Sequence, residues 1–263
     1  MADADALRET GVPALPADPG TGSTPPPVVV PSDDSVMSLV DHLGELRTRL
    51  FRSILAVAVG AVVGFYFSRD IRNFLLLPLP GGTVQVLGVG DGFMIQLRIS
   101  IVTGVILAMP VLLYQVWAFV SPGLTPAERR SVRPWIPIAL VFFALGVGIA
   151  YLVLPYAIEF LLSFTDERLR AETAAGPYFD FVTTTFLAFG LVMEFPILLV
   201  GLSRVGIVTS DRLRSARRYV ILGIAIFSAV ATPGGDLVSP FVLGGTMYLL
   251  FELTVLFIRR SGR

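Results

Sequence analysis

Six apolar runs dominate the chain beyond residue 52, at roughly 53–68, 93–120, 135–162, 179–202, 219–232 and 237–258. Each lacks the period-two alternation of a half-buried strand, and the second and third are long enough to cross a bilayer with tilt. The pattern predicts an all-α integral membrane protein with six transmembrane helices. The last two runs form a hairpin about Thr232-Pro233-Gly234-Gly235-Asp236 and are short. The 14 residues between Arg218 and Pro233 reach about 21 Å as helix, and the 15 between Asp236 and Glu252 about 22 Å. A hydrocarbon core is about 30 Å thick. Such a hairpin either is shielded by the other helices or sits in locally thinned membrane.

Before the first run, residues 38–52 read SLVDHLGELRTRLFR. Leu39, Leu43, Leu46 and Leu50 recur at helical spacing, with His42, Glu45, Arg49 and Arg52 on another face. This predicts an amphipathic helix lying at or just below the lipid surface. Residues 1–34 are rich in Ala, Pro, Asp and Gly and lack a basic segment followed by an apolar one. They read as a disordered cytoplasmic tail rather than a secretory signal, leaving 35–263 as the membrane domain. The 69–92 connection carries Pro78, Pro80 and paired glycines, so a single continuous helix is excluded and a structured cap is expected. Residues 164–177 form a second loop on the same side.

Composition agrees: 54% of residues are hydrophobic and 15% charged, outside the range of soluble domains. The net charge of zero says less than its distribution. All 20 basic residues are Arg. Fourteen flank the runs on one side: Arg47, Arg49 and Arg52; Arg129, Arg130 and Arg133; Arg204, Arg212, Arg214, Arg217 and Arg218; and Arg259, Arg260 and Arg263. Four lie on the other: Arg69, Arg72, Arg168 and Arg170. The excess of cytoplasmic Arg places both termini in the cytoplasm. With no Cys and a single His, disulfides, thiol nucleophiles and a zinc site built of imidazoles are excluded.

Three acids stand out. Glu194, in FGLVMEFP, lies near the middle of the fourth run, where a charge costs at least ~2.5 kcal/mol. It must face a polar cavity, find a partner or take up a proton, or else serve as a hydrogen-bonding packing group. Gln115 and Gln96 of the second run are candidate partners. Pro196 removes the backbone donor to Val192, so a kink is expected beside Glu194. Glu128 follows Thr125 by three residues with Pro126 between, the signature of a capping box. A cap leaves acceptor sites for a ligand. Glu45 is four residues before Arg49, so an ordinary pair along the helix is its simplest partner. His42 reads as a polar-face residue.

Taken together, HLGELRTRL at 42–50, MPVLLYQVWAFVSPGLTPAERR at 109–130, FGLVMEFP at 189–196 and the turn ending at Asp236 resemble TatC, the multispanning core of the twin-arginine protein translocase. The order of the four motifs on six spans makes the resemblance specific, over roughly 37–259. The turn departs from the family pattern in having Gly234-Gly235 where a second proline is usual, and the sixth run reads GGTMYLLFE without the proline expected before its Met.

The resemblance implies a receptor in the bacterial cytoplasmic membrane that binds twin-Arg signal peptides at the cytoplasmic face. Glu45 and Glu128 would bind the motif, with His42, Arg47 and Arg49 beside them. Glu194, with Gln115, would be the polar group inside the membrane. The last hairpin, with Thr232, Pro233, Asp236 and Glu252, would dock the single-span partners TatA and TatB. Self-association is implied; nucleic acid, cofactor, metal and catalysis are not, and transport would draw on the proton-motive force. Two carboxylates suit two Arg residues, because a guanidinium meets a carboxylate as a fork whereas Lys is a point charge.

A secondary transporter of a small solute is the alternative, since kinked helices often line ion sites, but no inverted repeat is evident. An intramembrane protease is ranked last: a Ser–His pair within the spans is impossible with His42 as the only His, and Glu194 and Glu252 sit on different spans.

Overall fold

The computed structural model describes residues 39–165, 173–204, 206, 208–232 and 236–260. The expected tail, Pro233 and the two glycines after it lie outside these residues. Among them the regular structure is helical, with one isolated bridge between Gln85 and Ala174. In order come α1 (Leu39–Tyr66), α2 (Ser68–Leu76), α3 (Asp91–Val120), α4 (Pro126–Val132), α5 (Trp135–Leu162), α6 (Ala175–Val192), α7 (Phe195–Arg204), α8 (Ser210–Ser215), α9 (Arg217–Ala231) and α10 (Val238–Arg260).

The amphipathic stretch and the first apolar run form one unbroken 28-residue helix, α1. This corrects the expectation of a separate helix along the lipid surface. No Pro or turn sequence separates Arg52 from Ser53, so the backbone ladder runs straight through. The faces are also reversed from those of a soluble amphipathic helix. Leu43, Leu46 and Leu50 are exposed, while His42, Glu45 and Arg49 turn towards α3. Lower down, Gly60 and Gly64 of α1 meet Gly104 and Ser100 of α3 backbone to backbone, an approach only small residues permit.

The core lies among α3, α5, α6 and α10. Phe143, Leu154, Phe179, Val182, Phe189, Leu243 and Phe251 are at most 2% exposed. Gly146 and Gly190 let α5 and α6 close on one another, with Phe143 filling the space beside Gly190. Buried hydroxyls of Ser100, Thr183, Thr185 and Thr254 donate to carbonyls four residues earlier on their own helices, which satisfies them without water.

At one end of the bundle the cap expected for 69–92 is structured. Leu75 and Leu79 are buried, the Tyr178 hydroxyl donates to the Leu75 carbonyl at 2.6 Å, and the Gln85–Ala174 bridge ties it to the α5–α6 connection. At the other end α4 packs on α7 and α8 on α10. Among the described residues, five helical segments are long and apolar enough to cross a membrane. The fifth run becomes α9, only 15 residues long, so the shortness of the final hairpin resides there. Helix α10 continues past Glu252 to Arg260 and is long and apolar enough to cross a membrane, which corrects the expectation that both arms of the hairpin are short.

Candidate functional site

The polar face of α1 builds a small cluster against the last two turns of α3. The Arg49 guanidinium pairs with Glu45, its Nε donating to Oε1 at 2.9 Å, and Nη1 reaches Oε1 of buried Gln115 at 3.5 Å. The His42 ring stacks on Phe119, with centroids 4.4 Å apart, and its Nδ1 lies 3.9 Å from Oε2 of Glu45. That Oε2 is buried and has no hydrogen-bond partner. Arg47 points away and is exposed.

Just past Phe119 the chain makes a 3-10 turn, Ser121–Gly123, and enters α4. The Thr125 hydroxyl accepts from the Glu128 backbone, while both the Thr125 amide and its hydroxyl donate to Oε2 of Glu128 at 2.8 Å. The capping box is therefore complete. Arg129 donates to the Ser121 carbonyl at 2.9 Å and braces the turn. Glu45 and Glu128 thus sit at the same end of α3, one held by its side chains and one by the turn that leaves it. Gln115 belongs with Arg49 and not with Glu194. Gln96 lies far from Gln115 along α3, close to its first residue.

The fourth run is broken where Pro196 requires it. Helix α6 ends at Val192, Met193 and Glu194 form a turn, and α7 resumes at Phe195. Glu194 opens into an apolar cavity of about 560 Å³ with walls from α3, α5 and α7, including Trp117, Val120, Trp135 and Leu198. Oε1 of Glu194 and Nε1 of Trp117 are both buried without partners. Trp117 was not singled out from the sequence; an indole within the motif at 109–130 was the available signal. Replacing Glu194 by Leu removes a carboxyl oxygen that has no partner, so the stability of the purified protein, read from its thermal midpoint, should hold or rise, by up to about 1–3 kcal/mol. A clear fall would show that the carboxyl serves as a packing hydrogen bond.

Thr232 and Asp236 flank the hairpin turn. The Thr232 hydroxyl donates to the Ser228 carbonyl at 2.6 Å, and Asp236, 3% exposed, accepts from the backbone of Ser239. Glu252 lies at the opposite end of the hairpin, where Arg217 donates to it at 2.8 Å. Arg98, inside the second run, pairs with Asp180 of α6, which explains how an Arg is tolerated there. The sequence offered no way to match those two.

The family model described as "Sec-independent protein translocase protein (TatC)" matches residues 41–245. The chain belongs to the TatC family. Among similar TatC proteins, that of Azotobacter chroococcum mcd 1 is 40% identical, covering 86% of this chain and 91% of its own. That of Carboxydothermus hydrogenoformans is 32% identical, covering 85% and 93%. A solved structure described as the "Twin Arginine Translocase Receptor- TatC" superposes with a TM-score of 0.73 at 32% identity, covering 84% of this chain and all of that one. Nothing in these comparisons favours a small-solute transporter. The TatC assignment makes this chain a component of a protein translocase.

Proposed function

We propose that this chain is the receptor and core subunit of a twin-arginine translocase in the bacterial cytoplasmic membrane. Both termini face the cytoplasm, and Glu45 and Glu128 take the two guanidinium groups of a twin-Arg signal peptide there. One observation carries the reading: two carboxylates stand at one end of α3, at the end where the Arg-rich connections meet. In a field of guanidinium groups they are the local acceptors for further Arg. The apolar part of the peptide enters the bilayer along the helices. TatA, and TatB where it is a separate protein, dock on the hairpin of α9 and α10, and copies of the chain self-associate in the receptor complex. No bond chemistry or cofactor belongs to this reading; the proton-motive force drives export of folded proteins.

Photocrosslinkers placed beside the two acids, at the exposed positions 46 and 127, should capture a twin-Arg precursor in membranes and lose it when the precursor carries Lys-Lys. Capture that ignores the Lys-Lys change would refute the site. For Glu194, whose cavity supports partner assembly on this reading, Glu194→Leu should insert yet give a smaller complex and impaired export.

A further inference from the structure

On the reading above, Glu45 must accept a guanidinium from the signal peptide, yet it already holds one. Both Nε and Nη2 of Arg49 donate to Oε1 of Glu45, and Nη1 of Arg49 is steadied by Gln115 across the helix interface. The side chains of Glu45 and Arg49 are only 18% and 20% exposed, so water competes weakly for the contact. Only Oε2 is left without a hydrogen bond, and it lies beneath His42.

We propose that Arg49 is an affinity-setting residue of the site: a built-in competitor that the incoming Arg of the peptide must displace from Glu45. The inference rests on the proposed role of Glu45 and adds the state from which binding starts. A cation approaching the resting pair meets a carboxylate already neutralised, so simple charge attraction gains little. To bind firmly it must take over Oε1. An arriving guanidinium can replace what it expels, fork for fork, and can use Oε2 as well. An arriving ammonium trades the paired donors of Arg49 for a single point charge, and the exchange runs against it. Displacement costs each newcomer the same, so the resident guanidinium lowers both affinities and leaves their difference to the geometry of the newcomer itself. Gln115 gives the displaced Arg49 an acceptor it already uses, so displacement does not strand a buried donor.

The competitor model makes a prediction that a purely structural role for Arg49 does not. Binding of two synthetic signal peptides, one with Arg-Arg and one with Lys-Lys, would be measured on the full-length protein in nanodiscs. Arg49→Gln should tighten both by a similar factor of roughly tenfold, the scale of one charge-assisted hydrogen bond, whereas a purely structural Arg49 would weaken both when replaced. Arg49→Lys, a weaker competitor that keeps the charge, should fall between wild type and Arg49→Gln. It also carries the test if Arg49→Gln does not fold. Glu45→Gln separates the two levels of the argument. If Glu45→Gln abolishes binding while both Arg49 variants leave both affinities unchanged, or weaken them, the competitor is overturned and the receptor site stands. If Glu45→Gln binds normally, the site and the competitor fall together.

Discussion

Gly146→Leu is expected to lower the thermal midpoint and the yield of monodisperse protein, while Gly148→Leu two residues away is tolerated. A Cβ at 146 would stand 2.7 Å from Cγ of Met193 and 2.9 Å from Cα of Gly190, and would press on the Phe189 carbonyl. Of these only the Met side chain can yield; the others are backbone of α6. The two helices would have to separate, and Phe143 and Phe189, 2% and 1% exposed, would lose the contacts that fill the seam. Overpacking costs about 1–3 kcal/mol where neighbours can shift, so ~3 kcal/mol or more is expected where backbone blocks the way. That corresponds to a midpoint lower by roughly 10 °C for a chain of this size. A Cβ at Gly148 meets nothing within 4 Å. The check is the thermal midpoint of each variant, followed by size-exclusion of the heated protein in detergent. Equal midpoints would mean that the α5–α6 seam is looser than its geometry implies.

The same seam shows what a membrane sequence does and does not disclose. The extents of α3, α5 and α10 follow from apolar runs, because a span must be apolar along its whole length. The break at Glu194 was legible because Pro196 acts locally, on a backbone bond four residues away. The pairing of Glu45 with Arg49 and the cap at Thr125 and Glu128 were legible for the same reason. Which face of each helix meets which neighbour was not. Lipid is as apolar as the core, so hydropathy does not separate the exposed Leu50 of α1 from the buried Leu154 of α5. The contacts of Gln115 with Arg49, Phe119 with His42 and Arg98 with Asp180 depend on helix rotation and stayed hidden. The continuity of α1 was missed for a related reason: a change from polar to apolar marks where lipid begins, not where a helix ends. For the proposed site, the acids were legible singly; their common position at one end of α3 required the fold.

Glu128→Gln is expected to leave α4 intact and still weaken twin-Arg peptide binding by about 10–100-fold, the cost of losing one hydrogen-bonded charge. Glu128 combines two roles that this substitution separates. Its Oε2 accepts from the amide and hydroxyl of Thr125, and an amide oxygen can do the same, since Gln serves at this position of a capping box. What Gln cannot supply is the negative charge that a guanidinium recognises as a fork. Thr125→Ala makes the complementary cut. It removes the hydroxyl that caps α4, costing about 1 kcal/mol, and leaves the carboxylate charged. On the receptor reading Thr125→Ala should lower the thermal midpoint by a few degrees and change peptide affinity less than about threefold, under 1 kcal/mol. Glu128→Gln should do the reverse, sparing the midpoint and losing affinity. Paired melting and peptide-titration curves on the two variants decide it. If affinity instead falls with Thr125→Ala and survives Glu128→Gln, the carboxylate is a cap that shapes the loop, and Glu45 alone would be left to hold the peptide.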